Sequence, residues 1–501
     1  MPIFQNIAFF LFAVIFSKGF EVARSYILAY KLGPAQYGSY ITLLLIVSYS
    51  PIVALGTVET LLKLVPYYRG KNDIARIKEI EGSVLGSIVI AAMVIISFAI
   101  FTPIVLHIIP LKQNPYLISI VFLSVAVSFI TAYFYNRFAA YENFKAAGKT
   151  DILRAIGALL IVGGMAWIWN LWGAVLGLLI LEIIMLIIIY KRNIHFHGKP
   201  IINFNRALMA NAVYVGFPIT ILWFVMTLQG TVDRLVLAGF LGPVAVGHYG
   251  LGLSVTGLLI LVPTVVGRVL YPAVNKRIGE NADPESIKRI VLFPTYTLSA
   301  LLANVQLGIL FLLPVLYCVL LPKYQPGLLA GKILLIGSFF GCLLRNGANY
   351  LIAANEQNKF LLYIIMSLIV TAVSDIAFVH LGWNIQGIAF GTSIGGLFLT
   401  TLVWRRALIK LGCRNKIVIQ YILTIYFPFI FVLCNGTIAH ILFGSNTSHY
   451  SFKIILFYLS SFLILNVSLG IMPDYRSQLS YWLKNIKSRI PVRHVNTINE
   501  N

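Results

Sequence analysis

The stretch Gly82–Phe101, GSVLGSIVIAAMVIISFAIF, carries no charge over its whole length. Ile156–Trp169 and Tyr363–Val379 carry few or none. About 20 such residues, coiled as a helix, cross the ~30 Å hydrocarbon layer of a bilayer. A spanning backbone must satisfy its own hydrogen bonds, which leaves helices or a closed barrel. The runs are continuous and do not alternate, so they predict helices. Charged residues make up only 11% of the 501 positions and hydrophobic ones 59%. A soluble domain carries about 25% charged residues, so lipid is the expected solvent.

The pattern predicts an all-α polytopic membrane protein with fourteen spans, near 4–30, 37–62, 83–108, 115–136, 152–168, 172–190, 208–239, 245–271, 290–320, 327–353, 360–380, 385–404, 418–442 and 452–472. The net charge of +22 then reads as the positive-inside rule and not as nucleic-acid affinity. Connections on one side, with the C-terminal tail, hold 29 of the 38 Lys and Arg residues. The opposite side holds Lys31, Lys112 and Lys323. This places both termini in the cytoplasm. The opening MPIFQNIAFF has no basic region and no small-residue cleavage site, so it reads as a retained first span.

The chain also repeats itself. LAYKLGPAQYGSY at Leu28–Tyr40 returns as LAGFLGPVAVGHY at Leu237–Tyr249, offset by 209. Pro103 and Pro110 recur as Pro314 and Pro322, and AAYENFK at Ala139 recurs as AANEQNK at Ala353. WNLWGAVLG at Trp169 recurs as WNIQGIAFG at Trp383, with the offset now 214. Ordered anchors with so little drift indicate two six-span copies, running in the same direction and related by an axis along the membrane normal. The expected organisation is a first lobe over 1–206, a second over 207–416, two added spans over 417–473, and a basic tail over 474–501. The tail can form an amphipathic helix on the anionic leaflet. Leu-Gly-Pro closes one helix and opens the next, giving a tight hairpin. Trp-Asn before the sixth and twelfth spans suits an interfacial aromatic with a capping Asn, and the following Gly-x-x-x-Gly permits close helix approach. In-span prolines (Pro51, Pro103, Pro218, Pro263, Pro294, Pro314, Pro428) offer bending points.

Charges inside spans are costly and mark candidate sites. Span 1 carries Lys18, Glu21 and Arg24, and span 7 carries Asp233 and Arg234. The repeat aligns Arg24 with Asp233. Span 10 carries Lys332 and the deeper Arg345, and span 8 ends near Arg268. Glu182 in span 6 and Asp375 in span 11 stand alone. Arg268 and Lys332 can snorkel, Glu21 can neutralise a neighbour three residues away, and Asp233–Arg234 can be a structural pair. The cationic balance suits an anionic headgroup such as a phosphate or pyrophosphate, which guanidinium groups bind in bidentate fashion. The four cysteines have no metal or pairing pattern, and His195-x-His197 alone is a poor metal fragment. No phosphate-binding Gly-rich loop or nucleophile elbow is visible, so the chain reads as a non-enzyme with no cofactor and no metal.

The stretch from RSYILAYKLGPAQYGSY at Arg24, and VDRLVLAGFLGPVAVGHYGLGLSV at Val232–Val255, resemble the paired hairpins of Wzx-type polysaccharide flippases. These belong to the multidrug/oligosaccharidyl-lipid/polysaccharide flippase superfamily. The resemblance implies a V-shaped pair of lobes around a cationic cavity. It implies movement of undecaprenyl-pyrophosphate-linked oligosaccharide between leaflets by alternating access, for O-antigen, capsule or exopolysaccharide. A polysaccharide polymerase and a chain-length regulator would be partners. On that reading Arg24, Arg234 and Arg345 hold the diphosphate with help from Lys18, and Glu21, Asp233 or Asp375 couples transport to an ion. A drug/cation antiporter of the same superfamily should carry more acids than bases in its spans, which this chain does not. A lipid II-type or sporulation-type flippase is a closer cousin. A membrane glycosyltransferase or polymerase usually needs a large external loop, and every external loop here is short.

Overall fold

A computed structural model describes residues 2–108, 114–260, 283–443 and 452–471, with scattered positions between 263 and 280. Pro110, Lys112, Arg268, Lys276 and the tail over 474–501 lie outside the described residues. All regular elements within them are helical. The main helices are α1 (Pro2–Tyr49), α2 (Thr57–Gly70), α3 (Ile74–Ile108), α4 (Pro115–Ala140), α5 (Phe144–Gly157), α6 (Gly163–His197), α7 (Arg206–Gln229), α8 (Val232–Val236) and α9 (Gly242–Leu259). They continue as α10 (Pro284–Pro314), α11 (Leu328–Ala353), α12 (Gln357–His380), α13 (Asn384–Lys410), α14 (Asn415–Phe443) and α15 (Phe452–Ile471). Among the described residues, eleven helical stretches are long and apolar enough to cross a bilayer. The protein is therefore an all-α polytopic membrane protein.

Several stretches hold a hairpin. α1 leaves helical geometry at Gly33 (φ 67°, ψ 173°), and Gly242 repeats that backbone (φ 79°, ψ −178°). Glycine tolerates this left-handed φ and the following proline starts the next helix. The chain reverses at Gly242, because the Tyr249 hydroxyl reaches the Asp233 carboxylate at 2.6 Å, 16 residues away. On one straight helix that separation would be about 24 Å. α6 breaks at Trp169–Asn170, and a Cβ at Gly173 would fall 1.8 Å from the Met165 carbonyl, so it folds back there too. Asn170 and Asn384, aligned by the repeat, share a left-handed φ of 50° and 47°. That corrects the capping expectation. Asn serves here because it enters left-handed backbone more readily than other non-glycine residues.

Two breaks fall elsewhere than expected. The span expected over 208–239 is interrupted at Gly230–Thr231, between α7 and α8. The span over 37–62 opens into a 3-10 turn at Ser50–Ala54, with left-handed Leu55 and Gly56. Pro51 begins that turn, whereas Pro103, Pro218, Pro294 and Pro428 sit inside continuous helices.

Helices α1 and α9 form the most extensive seam between helices. There the repeat-related residues face one another. A Cβ at Gly38 would lie 1.7 Å from the Pro243 carbonyl oxygen, and one at Gly247 2.0 Å from that of Pro34. The bare backbones touch, and van der Waals contact replaces side-chain interdigitation. The break in the second lobe is tied to the first by a 2.6 Å hydrogen bond between the hydroxyls of Thr231 and Tyr49. Helix α14 packs on α10, α13 and α11, and α15 packs on α10 and α14.

Candidate functional site

On α1, Lys18 and Glu21 form an ion pair with each other. Both are about half exposed, so Glu21 neutralises its neighbour and is a weaker candidate for coupling than a buried acid. Arg24, one turn deeper, is half-buried, and its Nε is buried without a hydrogen-bond partner among the described residues. It lies within electrostatic range of Tyr37 and Tyr40. The Tyr40 hydroxyl is also buried and unpartnered among those residues.

The repeat equivalent of Arg24 and Tyr40 is Asp233 and Tyr249. Asp233 is 3% exposed and accepts the Tyr249 hydroxyl at 2.6 Å and the Arg234 amide at 2.7 Å. The same tyrosine hydroxyl lies 3.1 Å from that of Thr392 on α13. One hairpin position thus holds a cation beside tyrosine in the first lobe and an anion beside tyrosine in the second. Arg234 turns back on its own element: Nε is 3.5 Å from Asp233, and Nη2 donates to the Gly230 carbonyl. Its charge is largely spent on closing the α7–α8 break.

Asp375 on α12 is fully buried. Neither carboxylate oxygen has a hydrogen-bond partner among the described residues. It stands in electrostatic range of Asp233 and Tyr249, and a Cβ on Gly391 would fall 2.1 Å from its Oδ1. One turn earlier, the Gln229 amide donates to the Thr371 hydroxyl at 3.2 Å and to that of Ser367 at 2.9 Å. Asp375 is therefore not isolated; its charge and that of Asp233 act on one another and on Tyr249. Glu182 is not isolated either. Arg154 of α5 pairs with it at 2.5 Å.

Arg345 is exposed on α11, with its aliphatic stem along Gly267 and close to Asn349. Lys332, higher on α11, borders an apolar cleft of about 540 Å³ between α10, α11, α13, α14 and α15. Ile336, Phe340, Phe390 and Leu433 form its walls.

Sequence reasoning misses the partners and not the charges. Tyr249, Thr392, Thr231 and Tyr49 carry no charge to draw attention, although Tyr40 and Tyr249 both close the repeated string.

A family model for polysaccharide biosynthesis proteins matches residues 3–277, more than half of the chain. The chain belongs to that family. Its fold, too, has solved counterparts. The lipid II flippase MurJ, in an inward closed conformation, superposes with a TM-score of 0.72 and 15% identity, covering 92% of this chain and 98% of that one. A MATE transporter of Vibrio cholerae gives 0.57 and 15%, covering 82% and 97%. A MOP superfamily transporter from Pyrococcus furiosus gives 0.55 and 14%, covering 81% and 96%. At these identities the likeness concerns the fold. No curated protein sequence matches. Within this member of the polysaccharide biosynthesis family, the inverted charge at equivalent hairpins is what any functional account must use.

Proposed function

We propose that the protein is a flippase of the cytoplasmic membrane for a polyprenyl-diphosphate-linked oligosaccharide. Its two lobes would rock about the α1–α9 seam to expose a central site to each side in turn. The observation that carries this reading is the charge inversion between Arg24 beside Tyr40 and Asp233 beside Tyr249. The first lobe offers a guanidinium whose Nε has no hydrogen-bond partner among the described residues, suited to a diphosphate oxygen. The second offers a buried carboxylate pair suited to a coupling proton or metal cation. The apolar cleft under Lys332 supports a lipid-linked substrate, since a prenyl chain would fill it while the ammonium meets a phosphate. Arg345 would serve the mouth of the cavity and Arg234 chiefly the α7 break. On this reading the basic loops and both termini face the cytoplasm, and the product feeds O-antigen, capsule or exopolysaccharide assembly beside a polymerase and a chain-length regulator.

Reconstitution into liposomes, with leaflet exchange of an undecaprenyl-diphosphate glycan as the readout, tests the proposal. Arg24→Ala should slow exchange at least tenfold, and Asp375→Asn should abolish its dependence on an imposed ion gradient. Unchanged exchange in Arg24→Ala overturns the diphosphate role. The buried acids Asp233 and Asp375 favour a second reading, a cation-coupled drug antiporter. Gradient-dependent efflux of an organic cation, with no glycan exchange, would select it.

A further inference from the structure

A well-defined cavity is lined by residues between Pro66 and Ile201. It measures about 910 Å³ and opens among the ends of α2, α3, α4 and α6 and the linker that leaves α6 for the second lobe. These ends carry the basic loops.

Its floor is a saturated network. Arg137, 1% exposed, donates Nε and Nη2 to the two Glu81 oxygens at 2.9 and 2.8 Å. Its Nη1 reaches Asn193 at 2.7 Å and the Gly198 carbonyl at 3.1 Å, and Nη2 reaches the His197 carbonyl at 3.2 Å. Arg137 and Glu81 therefore cancel, and neither is free for a ligand. Above them the Tyr141 ring stacks on His197 at 4.2 Å, with the Arg69 guanidinium 5.2 Å from its centroid.

The rim is different. Arg69 of α2, Lys78 of α3 and Lys199 of the linker all line the cavity and are exposed. None of them is in an ion pair among the described residues. Of the two acids that line the cavity, Glu81 is held by Arg137, which leaves Glu142. The surplus of two positive charges matches the two negative charges of a diphosphate diester. The three cations come from three separate elements, so they can converge on one ligand, which a charge stripe on one helix could not do. The volume lies within the range of small-molecule sites, about 300–1,000 Å³.

We propose that this cavity is a second anion site, where Arg69, Lys78 and Lys199 bind a diphosphate group on the basic face of the first lobe. It is separate from Arg24 and does not rest on the transport reading. Lys199 sits in the connection between lobes, whose Asn203 amide is fixed to the Gly82 carbonyl at 3.0 Å. Occupancy would therefore fasten the linker to α2 and α3 and bias the motion of one lobe against the other. The diphosphate could belong to a soluble nucleotide sugar or to a prenyl diphosphate at the membrane surface.

The full-length protein in zwitterionic nanodiscs can be titrated calorimetrically with UDP-glucose, inorganic pyrophosphate and farnesyl diphosphate. Saturable binding is expected, weakened at least tenfold in Arg69→Gln and Lys199→Gln and unchanged in Lys416→Gln, which removes an exposed cation of α14. The substituted side chains are exposed and make none of the buried network's hydrogen bonds, and Lys78→Gln gives an independent third variant. UDP-glucose binding assigns a soluble source; farnesyl diphosphate binding without UDP-glucose binding assigns the membrane source. No binding of any probe, binding indifferent to the rim variants, or binding equally weakened in Lys416→Gln would overturn the site. So would variants that lose only their preference for nanodiscs with anionic phospholipid, which would make the rim a plain headgroup patch.

Discussion

Replacing Gly247 with alanine should push the lobes apart at the end remote from the basic loops. The new Cβ would stand 2.0 Å from the Pro34 carbonyl oxygen, and its counterpart at Gly38 would stand 1.7 Å from that of Pro243. An ordinary close C···O contact is about 3.3 Å. The helices must therefore separate locally by roughly 1.5 Å, because backbone cannot rotate away as a side chain can. Overpacking of a tight interface costs about 1–3 kcal/mol, which is about a 5- to 150-fold shift against the closed seam. Spin labels replacing the exposed Tyr30 and Phe240, in a background freed of the four cysteines, would report the gap by pulsed dipolar spectroscopy in nanodiscs. Both alanine variants should populate a longer distance, and to a similar extent, since the contact is reciprocal. Gly257→Ala on the same helix meets nothing within 4 Å and should leave the distances alone. Unaltered distances in both seam variants would refute the account of the seam as a backbone-to-backbone closure.

Removing Arg137 strands a buried Glu81. Arg137→Ala should cost about 3–5 kcal/mol, with a matching fall in apparent melting temperature, and Arg137→Lys should recover only part of it. Glu356, between α11 and α12, is held at about 2 by the hydrogen bond from Arg406, with further help from Lys359 and Lys410. Its folded value is depressed, so its stabilisation is complete above the ordinary carboxylate range near ~4.3 and fades as pH falls through about 2. Thermal unfolding followed between pH 6 and pH 2 should lose that acid-limb slope in Glu356→Gln. Gly391→Ala would drive a methyl onto the Asp375 carboxylate, 2.1 Å from Oδ1. Transport in that variant should lose gradient dependence as Asp375→Asn does, with the melting temperature as a control for collapse.

Much of the fold is written locally. Charge-free runs of about 20 residues force helices whatever they pack against. Gly33-Pro34 and Gly242-Pro243 turn the chain because the dihedral restrictions of those two residue types act without neighbours. What escapes a linear reading is pairing over distance. Arg137 reads as a loop cation because it follows the apolar part of α4, yet its partner Glu81 lies 56 residues earlier and the pair is buried. Arg154 and Glu182 look solitary for the same reason, 28 residues apart. The break at Gly230–Thr231 has no proline to announce it, and the hydroxyl that helps hold it belongs to Tyr49 in the other lobe. Charges at Arg24, Asp233 and Asp375 are conspicuous in apolar sequence. The tyrosine that donates to Asp233 is not, since Tyr249 is one of 26 tyrosines.

The α1–α9 seam has a further consequence. Pro34 meets Gly247 and Gly38 meets Pro243, so each side presents the same two residues to the other. That is the pattern of an isologous two-fold interface, in which a surface recognises a copy of itself. The first lobe alone carries a complete self-complementary patch. Expressed as residues 1–206, it should form a symmetric homodimer through that patch. The full-length chain would then amount to a dimer whose subunits have been joined end to end and allowed to diverge in charge, one toward the anion and the other toward the cation.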